Sequence, residues 1–262
     1  MLVDSHCHLD FPDFAEDRDG VLARAKAAGV ELMVTISTKV TQAGEIIALA
    51  DAHDELVCSV GIHPHEAGRE PETDATTLVD IAAHEKVVGI GETGLDYFYE
   101  NSPRDAQQKN FRAHIEAARR SKLPLIVHTR DADEDTADIL EEEMEKGAYP
   151  GLIHCFTAGP ELARRALDIG FYISISGIAT FKNAADLRET IKSIPLERLL
   201  VETDAPFLAP VPNRGRRNEP AFVADTAAAL AELKGVTPEE LARITTDNFY
   251  TLFSKAKRPV AA

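Results

Sequence analysis

Two histidines spaced two residues apart, His6 and His8, close a short apolar stretch that begins at Met1. On an extended backbone residues i and i+2 leave the same face, so both imidazoles can turn toward one point. Neutral imidazole is a good ligand for divalent ions, and such a pair invites a metal; the competing reading is a solvated strand end. What favours the metal is recurrence. His63 and His65 follow a third apolar stretch, Glu92 a fourth, His128 and His154 end a fifth and a sixth, and Asp204 follows an eighth. A lone histidine after a strand is usually hydrogen-bonded or solvated, but these eight residues follow the strand ends as a set, and six of the eight could meet in space as ligands. Six exceeds the three or four protein groups that one catalytic zinc takes while keeping a position open. Two ions are therefore expected, with a glutamate between them, at a separation of about 3.5–4 Å that stabilises both the attacking and the leaving oxygen. The mixture of carboxylate and imidazole leaves magnesium, manganese and zinc all open.

The elements that must position these residues alternate. Strands are expected from Met1 to the first histidines and over 31–37, 56–61, 86–91, 125–128, 152–154, 171–174 and 199–202, each brief, apolar and rich in β-branched residues, as suits burial on both faces. Helices are expected between them: within 12–28, over 40–53 and 74–84, from a Ser102 cap with Pro103 at the first helical position to about Ser121, over 132–146, from Pro160 to Gly170, and over 183–193. Two helices close the chain, one with Phe222, Val223, Thr226, Ala227, Leu230 and Leu233 at helical spacing, the other opened by the capping box Thr237-Pro238-Glu239-Glu240. Eight strand–helix units in 262 residues predict an α/β protein, a (β/α)8 TIM barrel with its site at the carboxyl ends of the strands; an open doubly wound sheet is the rival. No repeat, linker or composition break divides the chain, so one domain over 1–262 is expected.

Composition narrows the function. Three scattered cysteines, Cys7, Cys58 and Cys155, give no disulfide framework and point to a reducing compartment, the cytoplasm. No leader pattern and no long apolar run support secretion or membrane spanning. With 44 acidic against 28 basic residues the formal charge is −16, which repels nucleic acid at long range and argues against a non-specific binder, although a cleft holding cations and a few arginines can be locally positive. Gly89-Ile90-Gly91 lacks the dinucleotide spacing and no Gly-x-Ser-x-Gly elbow is present, so neither a nucleotide cofactor nor a covalent serine mechanism is expected.

Ser5-His6-Cys7-His8-Leu9, Gly61-Ile62-His63-Pro64-His65, Gly91-Glu92-Thr93-Gly94-Leu95-Asp96, His128-Thr129-Arg130, His154-Cys155-Phe156 and Glu202-Thr203-Asp204-Ala205-Pro206 resemble, in order, the successive signatures of TatD-type metal-dependent deoxyribonucleases, over essentially the whole chain. The resemblance implies a distorted TIM barrel that hydrolyses DNA phosphodiesters with divalent metal, Mg²⁺ foremost, commonly as a 3′→5′ exonuclease. It implies that His6, His8, Glu92 and Asp204 hold one ion and Glu92, His128 and His154 the other, with His63, and less strongly His65, near the substrate phosphate. Two positions depart from the pattern. Ala158 replaces a glycine, and the segment from Pro212 to Pro220 carries asparagine where an aromatic residue or histidine is usual.

On this reading a water between the ions attacks phosphorus and Asp204 takes its proton; Asp204, Glu92 and His63 form the catalytic group. Arg214, Arg216 and Arg217, the densest basic cluster near a strand end, and Arg130 are candidates to grip phosphate or to orient a carboxylate. Glu202, two residues before Asp204, would orient a ligand histidine or fix Arg130. Tyr97, Phe98 and Tyr99 either stack on a base or pack over the barrel mouth. His53, His84 and His114 lie on helices away from strand ends and read as surface or helix-face residues. The expected substrate is DNA, single-stranded or at 3′ ends, acted on by a monomer. The alternatives are an amidohydrolase- or lactonase-type enzyme on the same constellation and a metal-binding scaffold without turnover.

Overall fold

A computed structural model describes residues 1–258; the last four residues of the expected domain lie outside the described ones. Eight strands, β1 (Leu2–Cys7), β2 (Val30–Thr35), β3 (Leu56–Val60), β4 (Val87–Asp96), β5 (Leu125–Arg130), β6 (Gly151–Ile153), β7 (Tyr172–Ile175) and β8 (Leu199–Val201), pair in sequence order and all in parallel. A helix follows each of the first seven strands: α1 (Arg18–Ala27), α2 (Ala43–Asp51), α3 (Ala75–Ala82), α4 (Arg104–Ser121), α5 (Asp133–Lys146), α6 (Pro160–Asp168) and α7 (Ala185–Ser193). After β8 come α8 (Val223–Lys234) and α9 (Pro238–Leu252). The result is the (β/α)8 barrel, and its distortion is visible at the seam. Among the described residues β1 and β8 share no ladder; past the end of β8, Ala205 bridges Cys7, and the Asp4 side chain accepts from Thr203 N (2.9 Å) and Thr203 Oγ1 (2.5 Å).

Burial on two faces explains the apolar strands. One set of side chains, including Val3, Val34, Val57, Val88, Ile126, Leu152 and Leu200, clusters with Phe249, Leu252 and Phe253 of α9 and its end, which therefore plug the barrel. The opposite set packs under the other helices. Each phenylalanine so buried contributes roughly 1.5–3 kcal/mol. No helix among the described residues is long and apolar enough to cross a membrane.

Two local expectations change. β4 runs on to Asp96 instead of stopping at 91, pairing as far as Asp96–Arg130 with β5, so Glu92 lies within the strand. Gly94 makes this close pairing possible: its φ is +135°, and a Cβ there would collide with the His128 carbonyl oxygen. At α4, Pro103 is the N-cap and Ser102 does not cap the helix; its hydroxyl donates to His65 O (2.8 Å) and accepts from Gly68 N (2.9 Å), tying down the loop after β3. Thr237 does cap α9, accepting from Glu240 N at 3.1 Å.

Candidate metal centre

The β1–β8 seam sets the first half of the site. Asp204 N donates to His6 O (2.9 Å) and His8 N to Ala205 O (2.8 Å), which fixes both histidines beside Asp204, itself in the left-handed region at φ +56°. Asp204 Oδ1 then lies 3.7 Å from His6 Nε2 and 3.4 Å from His8 Nε2. Glu92, buried on β4, reaches across the barrel with its two oxygens pointing at different partners. Oε2 is 3.3 Å from His6 Nε2 and 3.9 Å from His8 Nε2. Oε1 is 2.8 Å from His154 Nε2, 3.0 Å from His128 Nδ1 and 3.4 Å from His63 Nε2.

Hydrogen bonds on the far side of each ring assign the tautomers, since a ring nitrogen that donates leaves the other with a lone pair. His8 Nδ1 donates to Ile36 O (3.3 Å), His154 Nδ1 to Glu202 Oε1 (3.3 Å) and His128 Nε2 to Asp96 Oδ2 (3.2 Å). In the neutral form, the one that can hold an ion, all three rings therefore turn a lone pair inward; as imidazolium each donates to Glu92 or Asp204 instead. His63 is the opposite case. Its Nδ1 accepts from His65 N (3.1 Å), so the neutral ring carries its proton on Nε2 and is a donor at the site. His63 stands close enough to Glu92 and His128 to complete a ligand triad, but its tautomer argues against that role.

Burial would raise the pKa of Glu92, yet His154, His63, His6 and the bond from His128 pull it well below the usual carboxylate range. Asp204 is lowered too: burial opposes, but the His8 bond and the nearby His6 and His154 prevail. Burial drives His63 down to about 4 despite Glu92, so it is neutral at pH 7. At the seam, burial pushes Asp4 up to about 8 against the bonds from Thr203.

The donor set fits divalent ions. His6 Nε2 and His8 Nε2 face each other at 3.3 Å, as do His154 Nε2 and His128 Nδ1 at 3.4 Å, and in each pair the far-side hydrogen bonds leave at least one lone pair facing inward. His6–His8–Glu92 and His63–Glu92–His128 are two clusters sharing one carboxylate, His154 Nε2 joins the second at 2.8 Å from Glu92 Oε1, and His6–His154–Glu202 form a third; Glu202 Oε2 and His6 Nδ1 are buried without a hydrogen-bond partner.

The structure thus brings together His6, His8, His63, Glu92, His128, His154 and Asp204, with Glu202 behind His154 and also accepting from Cys155 N at 2.7 Å. His65 turns outward and donates from Nε2 to Asp96 Oδ2 at 2.8 Å. The arginines divide. Arg130 does not reach Glu202; its guanidinium lies 4.0 Å over the Phe98 ring and 4.7 Å over Tyr99. Arg214 lies 3.6 Å over Phe181, and Arg216 is exposed. Arg217 is engaged elsewhere, donating to Asp13 O (2.7 Å) and Asp17 Oδ2 (3.1 Å), because α1 and its leading turn present acidic groups beside it. Tyr97 turns away to donate to Asp135 (2.7 Å). Neither sequence departure strains the chain. Ala158 does not take a positive φ, Asn213 donates to Asp225, and Asn218 donates to Thr203 O and Phe207 O.

Asp96, which ends the Gly91–Asp96 signature, is the residue of the site whose role the sequence conceals. Buried on β4, it accepts from His65 and His128 on Oδ2 and from Phe98 N (3.1 Å) and Tyr99 N (3.0 Å) on Oδ1. Its signal is its place four residues after Glu92, on the same face of a strand, hidden by the expectation that the strand ends sooner. His114 is a correction. It is fully buried on α4, accepting from Ile62 N (3.0 Å) and donating to Asn110 O (2.8 Å), and burial lowers it to about 4.

A parallel eight-stranded barrel carrying carboxylate-linked imidazole clusters at the carboxyl ends of its strands is the architecture of a metal-dependent barrel hydrolase. Comparison with known proteins is consistent over the whole barrel. The family model "TatD related DNase" matches residues 3–254. The metal-dependent hydrolase YcfH of Escherichia coli K12 is 48% identical over 256 residues, covering 97% of this chain and 96% of its own length. The 3′-5′ ssDNA/RNA exonuclease TatD of Salmonella typhimurium is 34% identical, covering 96% and 98%. The crystal structure of YjjV, a TatD homologue from E. coli K12, superposes with a TM-score of 0.89 at 31% identity, covering 97% and 98%. The chain belongs to the TatD related DNase family and is a metal-dependent hydrolase.

Proposed function

We propose that the protein is a deoxyribonuclease, a single barrel domain acting as a monomer in the cytoplasm, that hydrolyses DNA phosphodiesters from 3′ ends of single strands with two divalent ions, Mg²⁺ foremost. The observation that carries this reading is Glu92, whose two oxygens serve two separate groups of imidazoles. The Salmonella relative's name supports the substrate and direction, and RNA belongs in the same test. His6, His8, Glu92 and Asp204 would hold one ion, and Glu92, His128 and His154 the other. Such ions would acidify a water and polarise the phosphoryl oxygens.

The protein's own groups supply the rest. Asp204 uses Oδ1 toward the two β1 histidines, which leaves Oδ2 to accept the water's proton. Its depressed pKa makes it a weak base, suited only to a water that is itself acidified. His63, neutral with its proton on Nε2, donates to a phosphoryl oxygen as charge grows there. Glu202 and Asp96 hold the tautomers of His154 and His128. Arg130, Arg214 and Arg216 face the phosphate chain.

The experiment is metal analysis joined to a substrate panel. The parent should bind two ions per chain and degrade 3′-ended single-stranded DNA. Glu92→Gln, keeping shape and losing charge, should bind fewer ions and lose activity. One ion per chain with the same occupancy in Glu92→Gln refutes the shared carboxylate; turnover of lactones or cyclic amides with DNA left intact replaces the phosphodiesterase by the small-molecule hydrolase.

A further inference from the structure

In a chain of charge −16 most arginines are held by carboxylates or by backbone carbonyls. Among the described residues Arg24, Arg104, Arg112, Arg119, Arg164 and Arg165 are each paired with carboxylates. Arg130, like Arg214 and Arg216, pairs with no carboxylate among the described residues, and its guanidinium makes no hydrogen bond to them; of the three it alone lies over two exposed rings. It lies instead over Phe98 and Tyr99, at 4.0 and 4.7 Å from the ring centroids. These two rings, crossed at 88° with centroids 4.8 Å apart, are each 53% exposed. Exposed large apolar side chains are few here, and leaving two side by side has a cost unless something covers them.

The feature is built and held. Asp96 Oδ1 accepts the backbone N–H of both Phe98 and Tyr99, so the carboxylate that fixes His128 also fixes the loop carrying the rings. Tyr99 stands edge-on to His65 at 5.4 Å, His65 to His63 at 4.5 Å, and His63 lies 3.4 Å from Glu92. The rings are therefore one short step from the metal centre, along a path lined by donors.

We propose that Phe98, Tyr99 and Arg130 form a nucleobase subsite: one ring stacks on an unpaired base of the nucleotide next to the scissile phosphodiester, while Arg130 offers its free N–H donors to the adjoining phosphate. This rests on the nucleic-acid reading of the centre. An aromatic face accepts any base, because every base has a π-face, and an unpaired arginine adds attraction to the phosphate chain. A base in a duplex must leave its stack to reach the rings, at an energetic cost, so the subsite selects frayed or single-stranded ends. Base identity is not read, since the subsite directs no hydrogen-bonding array at the base edge.

The test walks one abasic residue through the last four positions of a single-stranded oligonucleotide and compares kcat/KM with the intact strand. For the parent, one position should cost roughly 5- to 150-fold, the range that base–aromatic stacking supports. In Phe98→Leu with Tyr99→Leu the intact strand should lose most of that factor, and the ratio of intact to abasic should fall toward one. A 2-aminopurine at the same position, in a strand with non-hydrolysable terminal linkages, should be quenched on binding the parent and much less on binding the variant. DNA hydrolysis with no abasic penalty at any position, or a variant that keeps the parent's ratio and quenching, overturns the subsite while leaving the nuclease reading intact. A parent that degrades neither DNA nor RNA defeats the nuclease reading and the subsite with it.

Discussion

Asp96→Asn separates holding a metal-binding histidine from being one. The carboxylate receives four donors, two imidazole Nε2–H groups on Oδ2 at 2.8 and 3.2 Å and two backbone N–H groups on Oδ1 at 3.1 and 3.0 Å. An asparagine of the same shape has one oxygen and one NH2 group, so it can satisfy only one pair. The backbone donors cannot change, so the amide oxygen should stay with Phe98 and Tyr99 and the NH2 should face the imidazoles. His128 must then move its proton to Nδ1, removing the lone pair that faces Glu92 Oε1 at 3.0 Å, or turn away. Loss of a charge-assisted bond is worth roughly 1.5–3 kcal/mol, and removing a partner behind a metal ligand typically weakens binding about 10–100-fold. The ion assigned to Glu92, His128 and His154 should weaken by that factor, while the ion assigned to His6, His8, Glu92 and Asp204 keeps its constant. Calorimetric titration with Mn²⁺ resolves the two, and kcat measured at rising metal should recover in parallel with the weaker site. Both ions binding Asp96→Asn with the parent's constants would show that His128 needs no such support, and the tautomer argument fails.

Asp204→Asn keeps an oxygen for coordination but no base near neutral pH, so kcat on one oligonucleotide at saturating metal should fall roughly 10²–10⁴-fold with KM little changed; a rate within about threefold of the parent places the proton acceptor elsewhere, with Glu202 the next residue to try. Arg214→Ala with Arg216→Ala should raise KM for DNA and reduce the log–log salt slope by roughly 0.7 for each single-strand phosphate that is no longer gripped, whereas Arg217→Ala, already bound to Asp13 and Asp17, should leave that slope alone. His114 gives a pH effect remote from the metal ligands. Its ordinary value of 6.5 falls to about 4 in the fold, so below pH 6.5 the unfolded chain takes a proton that the fold refuses. Its contribution is fully present above pH 6.5 and declines as the pH falls toward 4, by about 3 kcal/mol in all. Urea unfolding of the parent and of His114→Gln across that window should show a shallower fall in the variant, and parallel curves would mean that His114 does not bear the effect.

What the sequence makes legible and what it conceals follow from how each residue acts. His6, His8, His128, His154 and Asp204 are readable because a barrel puts its chemistry where apolar strands stop, and each lies within a few residues of such a stop. The strands are readable for the same reason that they are buried on both faces. Asp96 and His114 are not, because each acts through a partner distant in the chain: Asp96 through His128, thirty-two residues on, and His114 through Ile62, fifty-two residues back. No local pattern marks such a pairing: helical spacing from Phe111 and Ala118 puts His114 on the apolar face of α4, but nothing nearby in the chain says that it meets Ile62 N there. The arginines show the same limit from the other side. Arg214, Arg216 and Arg217 form one basic run in the sequence, but only Arg217 lies beside the acidic groups of α1, so a cluster of like residues divides into one structural and two available members. Arg130 gains its place from Phe98 and Tyr99 on the neighbouring strand's loop, and those rings owe theirs to Asp96. The carboxylate whose role no local pattern marks therefore joins the metal-facing histidine on one of its oxygens to the exposed rings on the other, which is why Asp96→Ala should disturb metal binding and substrate stacking together, Asp96→Asn metal binding alone, and a change at Phe98 or Tyr99 stacking alone.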